Sequence, residues 1–354
     1  EIKVPPFRSD IEGSADIVEE IVRIYGFEKI EPISLSKTIN QNEEVLDASL
    51  KSFYKSKRLI ANRGYLETVT YSFMDSIQAD FITNNTSIKI KNPISKDLNV
   101  MRPSTFPNLL TSINSNVSRN YLSGKLFEVG PNFYGVNDNE QIMVATGIQY
   151  GSFNNSSWSE KTRIIDVYDV KSDIFYVLDQ LNIPVENLQH EIIQNNIYHP
   201  GKSAQLRLGK SIVANYGEIS PLILKRFDIK TIVCGFEIFI DELNQFQVKK
   251  SSTKKAYDSN PLQLVERDFA FLFPKDIKGG DIINKIKKID KKIIKNVVIF
   301  DIFEGDNLPD SKKSIAIKVT LQPQEKTFTD EEIENFSKNI INLISKSFDG
   351  DLRQ

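Results

Sequence analysis

The sequence predicts an α+β chain organised on antiparallel strands. Some short runs alternate apolar and polar residues with a period of two, other stretches repeat their apolar residues at helical spacing, and the two kinds follow one another irregularly. A doubly wound parallel sheet would show a steady strand–helix–strand rhythm instead. The third observation is a compact C-terminal order of strand, helix, strand, strand and helix from residue 261 onward.

The chain has 354 residues, 40% hydrophobic and 26% charged, which suffices for two or three domains with cores of their own. The single cysteine, Cys234, excludes an internal disulfide framework and fits a reducing compartment. No apolar run approaches the roughly 20 residues that span a bilayer, so a soluble, cytoplasmic protein with no membrane partner is expected. Glu1 opens in mid-motif, and the chain is expected to be part of a longer one whose missing portion lies N-terminal. Net charge is only −2, but residues 249–300 carry 13 Lys or Arg against 6 Asp or Glu, while residues 301–354 carry 7 against 11. The basic stretch is either a binding face or a solvated surface.

Taken in order, the first helix ends near Gly26, Glu31-Pro32-Ile33-Ser34 reads as an exit loop, and a domain boundary is expected near residue 40. Leu46, Leu50, Phe53 and Ile60 keep a helical period over Glu43 to Asn62, closed by Arg63-Gly64. Thr68 to Phe73 alternates as a strand, as does Ile88 to Lys91. Pro107 starts a helix with Leu110, Ile113, Val117 and Tyr121 on one face. Strands follow at Lys125 to Val129 and Ile142 to Tyr150, then a helix at Asp173 to Leu181. Ala204 to Leu208 and Ile212 to Tyr216 pair around Gly209-Lys210, and Ile232 to Ile240 is a buried strand. Residues 249–260 read as a linker. The last domain, 261–354, has strands at Arg267 to Phe273, Val297 to Phe303 and Lys313 to Leu321, helices at Asp281 to Lys295 and Asp330 to Phe348, and a short end at Leu352. That split pattern is ferredoxin-like, a topology that sheet-surface RNA binders also use.

Four carboxylates, Asp10, Asp16, Glu19 and Glu20, lie between the stiff run Val4-Pro5-Pro6-Phe7-Arg8 and the first helix. The steps from Asp16 to Glu19 and Glu20 put three of them on one helix face, and Asp10 can fold back toward them from the entering loop. Such oxygens suit a hard cation. Magnesium takes one or two carboxylates and keeps part of its water, so the cluster would stay open toward something else. The competing reading is electrostatic, since acids in a first turn complement the helix dipole and Ser14 looks like an N-cap. Spacing by itself favours this second reading.

The string VPPFRSDIEGSADIVEEIVRIYGF resembles the β-subunit family of bacterial phenylalanine–tRNA ligases. The resemblance implies that Asp10, Asp16, Glu19 and Glu20 hold a magnesium ion shared with an α subunit, and that residues 1–40 are the C-terminal part of a metal-bearing helical domain. Four more segments, NPISKDLNVMRPSTFPNLL, LFEVGPNF, HPGKSAQLRLG and NYGEISP, resemble the same family. They imply that residues 41–248 form a class II synthetase-like antiparallel sheet with flanking helices. Members of that class with chemistry carry an Arg-x-Glu and a second arginine after a glycine-rich turn, because two guanidiniums must grip nucleotide phosphates. This chain has no Arg-x-Glu and no Gly-x-Gly, and Phe127-Glu128-Val129-Gly130 stands where a cation is expected. The domain is therefore expected to be non-catalytic, with ATP and phenylalanine bound by the α subunit of an α2β2 heterotetramer. His199-Pro200-Gly201-Lys202 reads as a turn, Arg102 and Arg119 as loop or subunit fixings, and Ser104 and Thr105 as helix entry.

The last domain resembles that family's anticodon-binding module through VERDFAFLFP, FDIFEGDNLPDSKKSIAIKVTLQ, KTFTDEEIE and DLR. Phe269, Phe271 and Phe273 alternate along one strand and are expected to be buried rather than stacked on bases. Lys285, Lys288 and Lys292 lie on the helix face opposite Ile282, Ile286, Ile289 and Ile293. Tyr257, Arg267, Lys312 and Lys313 are the expected contacts to tRNA. The leading expectation is a ligase β chain that scaffolds the α subunit, shares magnesium and binds tRNA. The alternative is a stand-alone RNA-binding protein on a synthetase-like scaffold; a metal-dependent hydrolase is weaker, because no general base or oxyanion donor accompanies the acids.

Overall fold

The computed structural model describes residues 2–34, 46–83, 88–154, 156–193, 195–246, 259–305, 308–309 and 311–353. The expected boundary near residue 40 and most of the expected linker lie outside the described residues. The chain divides into two compact units, Glu1–Leu50 and Lys51–Gln354.

The first unit holds helix α1, Ser14–Tyr25, and a single 3-10 turn, Phe27–Lys29. None of their residues is buried, and Val18, Ile21 and Ile24 face outward. The N-cap is Gly13, so Ser14 is the first helical residue rather than the cap. Asp16 takes the capping role from inside the helix, accepting the N–H of Gly13 at 2.8 Å.

Helix α2, Ala48–Ala61, stops before Gly64, whose φ is +84. The expected strand at 68–73 breaks into β1, Leu66–Glu67, and β2, Phe73–Met74, which pairs with β3, Val100–Met101. Between them side-chain bonds replace a ladder: Glu128 Oε2 accepts the Thr70 N–H and hydroxyl at 3.2 and 2.8 Å. The stretch at 88–91 contributes only a single bridge, Lys89 to Val100. Short α3, Ser76–Asp80, is capped by Asp75, and α4, Phe106–Ser118, begins with Pro107 in its first turn.

The main sheet takes in β4, Gly124–Phe133; β5, Gln141–Tyr150; β6, Gln189–Glu191; β7, Tyr198–Leu208; β8, Ser211–Ile219; and β9, Val233–Phe239. Its order is β1-β4-β5-β9-β8-β7-β6, antiparallel except for the β1–β4 pair. Helix α5, Val167–Gln180, starts earlier than its apolar period suggested, because Asp166 and Asp169 form a capping box. Its Val170, Ile174, Val177 and Leu178 share a core with Phe127, Phe236 and Ile238. A second core joins Phe106, Leu109, Leu110 and Ile113 of α4 to Leu126 and Ile148. A Cβ on Gly235 would sit 2.6 Å from the Phe106 ring, so the glycine lets that ring lie on the sheet. Helices α6, Pro221–Arg226, and α7, Ile240–Leu243, close the ends of β8 and β9.

The last domain has β10, Val265–Pro274; α8, Gly279–Lys287; β11, Ile294–Phe303; β12, Lys312–Leu321; α9, Asp330–Phe348; and β13, Asp351–Leu352. The sheet order β11-β12-β10-β13 is that of a ferredoxin-like βαββαβ fold. Helix α8 ends eight residues before the expected Lys295, since Asp290 caps a turn through Lys292 and Ile293 and β11 begins at Ile294. Phe269, Phe271 and Phe273 are buried with Ile315, Ile317, Ile282, Ile286, Ile340 and Ile344. The expectation of burial for the three rings holds.

Arg102 is 1% exposed and ties three segments together. It donates to Glu128 Oε1 at 2.5 Å, to Thr70 Oγ1 at 3.1 Å and to the Pro131 carbonyl at 2.9 Å. Of the loop or subunit contact expected for it, these bonds make the loop contact. Gly130 makes room, because a Cβ there would fall onto Arg102 Nη2. Gly130→Ala is therefore expected to displace a buried ion pair and cost about 3 kcal/mol of stability, read as a lower urea midpoint at unchanged slope.

Candidate functional site

The four N-terminal acids do not converge. Arg8 Nη2 reaches Asp10 Oδ2 at 2.7 Å and Glu20 Oε1 at 2.5 Å, and Arg23 Nη2 holds Glu20 Oε2 at 2.7 Å. Asp16 Oδ2 accepts the N–H groups of Gly13 and Glu12 at 2.8 and 3.0 Å, while Glu19 is exposed. Hydrogen bonding from Arg8 holds the Asp10 carboxyl down at about 2, and Arg8 followed by Arg23 lowers that of Glu20. Carboxylate oxygens are the right donors for magnesium. The arrangement, however, does not fit a resident ion, since a guanidinium stands between two of the acids and backbone amides take the third. Among the described residues no group of three or more acidic, histidine or cysteine side chains is placed to hold a metal.

The main sheet presents a feature that linear reading missed. Glu128 on β4, Thr146 on β5, Glu237 on β9, Asn215 on β8, Gln205 on β7 and Glu191 on β6 are successive register partners. They form one polar row across six strands, all on the same face. The arginines nearest its ends are held by its own acids: Arg102 by Glu128, and Arg207 Nη1 by Glu191 Oε2 at 3.2 Å. Glu237 is buried in the middle with Ser104 Oγ 3.2 Å from its Oε1. Burial pushes its carboxyl up to about 7, and hydrogen bonding from Ser104 and Asn215 only partly counters that. The six residues come from six separate strands, so only the cross-strand register assembles them. Ser104, read from sequence as helix entry, also bonds the N–H of Phe106 at 3.3 Å.

His199 lies within β7, where the register shifts between Tyr198 and Ser203, and its Nδ1 accepts the Gly201 N–H at 3.1 Å. The expected free turn is thus an irregular stretch of strand. Arg119 donates to Ser115 on the exposed side of α4 at 2.7 Å. Burial raises the Cys234 thiol to about 12, which leaves it unreactive.

In the last domain the expected contacts divide. Lys312 pairs with Asp351 at 2.6 Å, and Lys313 Nζ donates to the carbonyls of Lys275 and Ile277 at 2.8 and 2.9 Å. Arg267 is exposed and its side chain donates to the Glu266 carbonyl at 3.1 Å, whereas Tyr257 lies outside the described residues. Lys318, on the open sheet face, is flanked by Glu266 and Asp268 at 3.1 and 3.9 Å. By contrast, Lys285, Lys288 and Lys292 are exposed, and none makes an ion pair among the described residues. Phe300, inside a register shift between Ile299 and Asp301, and Phe303 beyond it are exposed on β11. Simple alternation does not pick them out.

The family model for the phenylalanyl-tRNA synthetase beta chain CLM domain matches residues 35–240, more than half of the chain. The chain belongs to the phenylalanyl-tRNA synthetase beta chain family. A ferredoxin-fold anticodon-binding domain model matches residues 261–353, and a tRNA synthetase B5 domain model matches residues 1–27. The phenylalanine–tRNA ligase beta subunit of Rhodospirillum rubrum is 37% identical over 99% of this chain and 44% of its own length. That of Bartonella quintana is 37% identical over 100% of this chain and 45% of its own length. The chain thus spans less than half the length of these relatives. Among solved structures, pyrrolysyl-tRNA synthetase from Desulfitobacterium hafniense aligns at 14% identity and TM-score 0.43 over 55% of this chain and 68% of that one, too loosely to bear weight. Among the described residues, no helix is long and apolar enough to cross a membrane.

Two titrations check the electrostatics of these sites in this family member. Arg8→Gln should return the Asp10 carboxyl from about 2 toward the ordinary aspartate value of about 3.9, followed by carboxyl NMR. For Glu237 the folded chain keeps its proton to about pH 7, whereas the unfolded chain releases it near 4.5. Stability from this group is therefore present at low pH and lost as pH rises through that window, by about 3 kcal/mol in all. Urea unfolding at pH 5 and pH 8 should show Glu237→Gln gaining on the parent chain by about that amount at the higher pH.

Proposed function

We propose that this chain acts in the cytoplasm as the non-catalytic β chain of a phenylalanine–tRNA ligase. It scaffolds an α subunit that binds ATP and phenylalanine, and it contacts tRNA through its last domain. The observation that carries the non-catalytic half of this reading is the polar row. Adenylate formation needs preorganised cations around the phosphates. The sheet face here offers three carboxylates, Glu128, Glu237 and Glu191, and the two arginines beside them are already bound to acids. Neither guanidinium is left to meet phosphate, and Glu237, protonated up to about neutral pH, supplies no cation in their place.

The tRNA half rests on the anticodon-domain match and on the free cations of α8 and the turn after it. Lys285, Lys288 and Lys292 are better placed to meet phosphate than Lys312 and Lys313, whose ammonium groups are already engaged. Arg267 stays in the proposed contact set. The magnesium assignment of Asp10, Asp16, Glu19 and Glu20 also belongs to this proposal, as half of a site completed by the α subunit in an α2β2 assembly. It requires Arg8 to release Asp10 and Glu20.

Coexpression with the α subunit followed by phenylalanine-dependent pyrophosphate exchange tests the reading. Exchange is expected from the pair and none from this chain alone; exchange by this chain alone would defeat it. In tRNA binding measured across salt, replacing Lys285, Lys288 and Lys292 by alanine should flatten the slope by about one unit per lysine, against little change for Lys312→Ala.

A further inference from the structure

Glu237, in the middle of the polar row, is 4% exposed and makes no ion pair among the described residues. A buried carboxylate without a counter-charge is among the costliest groups a fold can hold, so it keeps a proton or takes a cation. No arginine or lysine answers it. Arg102, the buried cation of this face, is committed to Glu128, one strand beyond Thr146. Ser104 and Asn215 donate hydrogen bonds to Glu237, which spread its charge without cancelling it.

The surroundings hold oxygens with no partner among the described residues. Thr146 on β5 is the direct register partner of Glu237 and shares its face; it is 0% exposed, and its Oγ1 is one of these oxygens. Asn215 on β8 is the register partner on the other side, and its buried amide oxygen is the second. Side chains directly opposite across a strand pair stand about 5 Å apart at Cβ, close enough to share one ion. Tyr198 is 2% exposed, its ring lies edge-on to Phe106 at 5.7 Å between centres, and its hydroxyl is the third. Burial first and Glu237 second push that phenol up, so the hydroxyl lies within the field of the carboxylate.

We propose that Glu237, Thr146, Asn215 and Tyr198 form an oxygen-lined site for a monovalent cation of about the size of potassium. A proton on Glu237 would answer one of the three oxygens at most, and water would answer them while leaving the charge uncancelled. A single carboxylate balances a single charge. Magnesium keeps several of its waters and calcium takes a larger oxygen shell with more acids, neither of which suits a buried site with one carboxylate. The bound ion ties β5, β9, β8 and β7 together across the middle of the sheet, and this role stands apart from the reading of the chain as a ligase subunit.

Unfolding of the whole chain by urea tests the site at pH 8, where Glu237 is ionised, in mixtures of potassium chloride and choline chloride at constant ionic strength. Choline carries the same charge but is too bulky to enter, so it controls for screening. The midpoint should climb with potassium, and the unfolding constant should fall about tenfold once potassium exceeds its dissociation constant about tenfold. Thr146→Val keeps the carboxyl and removes one oxygen, and it should need several-fold more potassium for the same rise. Glu237→Gln should lose the response. Equal midpoints in potassium and choline for the parent chain would overturn the site and leave Glu237 to water or its proton. A potassium response that survives intact in Glu237→Gln would place the ion elsewhere and overturn it too, and a response to magnesium chloride in place of potassium would overturn the monovalent assignment.

Discussion

The buried contact between Arg102 and Glu128 is the constraint on which the larger domain depends. It locks the start of the α4 segment, the extended stretch around Thr70 and the edge of the main sheet into one geometry. Such a pair is stable only where every donor and acceptor is matched, and here Thr70, the Pro131 carbonyl and the two charged groups match one another. The Gly130 notch is part of the same device. A cation that closes a loop in this way is unavailable to a ligand.

That trade underlies the non-catalytic role proposed for this chain. The same sheet face is laced with acids and amides, of which Glu128, Thr146 and Glu237 are buried. Glu237 shows the cost, because a carboxyl in that setting keeps its proton to about neutral pH.

Much of this was legible in the residues. The α+β class, the ferredoxin-like order, the buried stripe of Phe269, Phe271 and Phe273, and the loop-fixing role of Arg102 follow from periodicity and chemistry. Helix ends were less legible, since Asp166 and Asp290 set them through side-chain bonds that apolar spacing does not register. The strand expected at 68–73 failed because Thr68 and Thr70 bond to β4 with side chains as well as backbone. The acid cluster shows a different limit. Asp16, Glu19 and Glu20 do lie on one helix, but spacing says nothing of Arg8, twelve residues before Glu20, which binds Asp10 and Glu20 and decides where those two carboxylates point. The polar row was invisible for a third reason: cross-strand register is a property of pairs of strands, and no single strand displays it.

The order of the main sheet has a consequence for how it holds together. Its central strand, β9, is the last of its strands in sequence and joins β1-β4-β5 on one side to β8-β7-β6 on the other. Both inner edges, those of β5 and β8, find their partners on β9, so the sheet is continuous only through Val233–Phe239. Without those pairings each half would end in a row of open backbone groups, the kind of edge that recruits foreign strands. The seven residues of β9 are the keystone of the sheet, and a lesion in them would be felt in both halves at once.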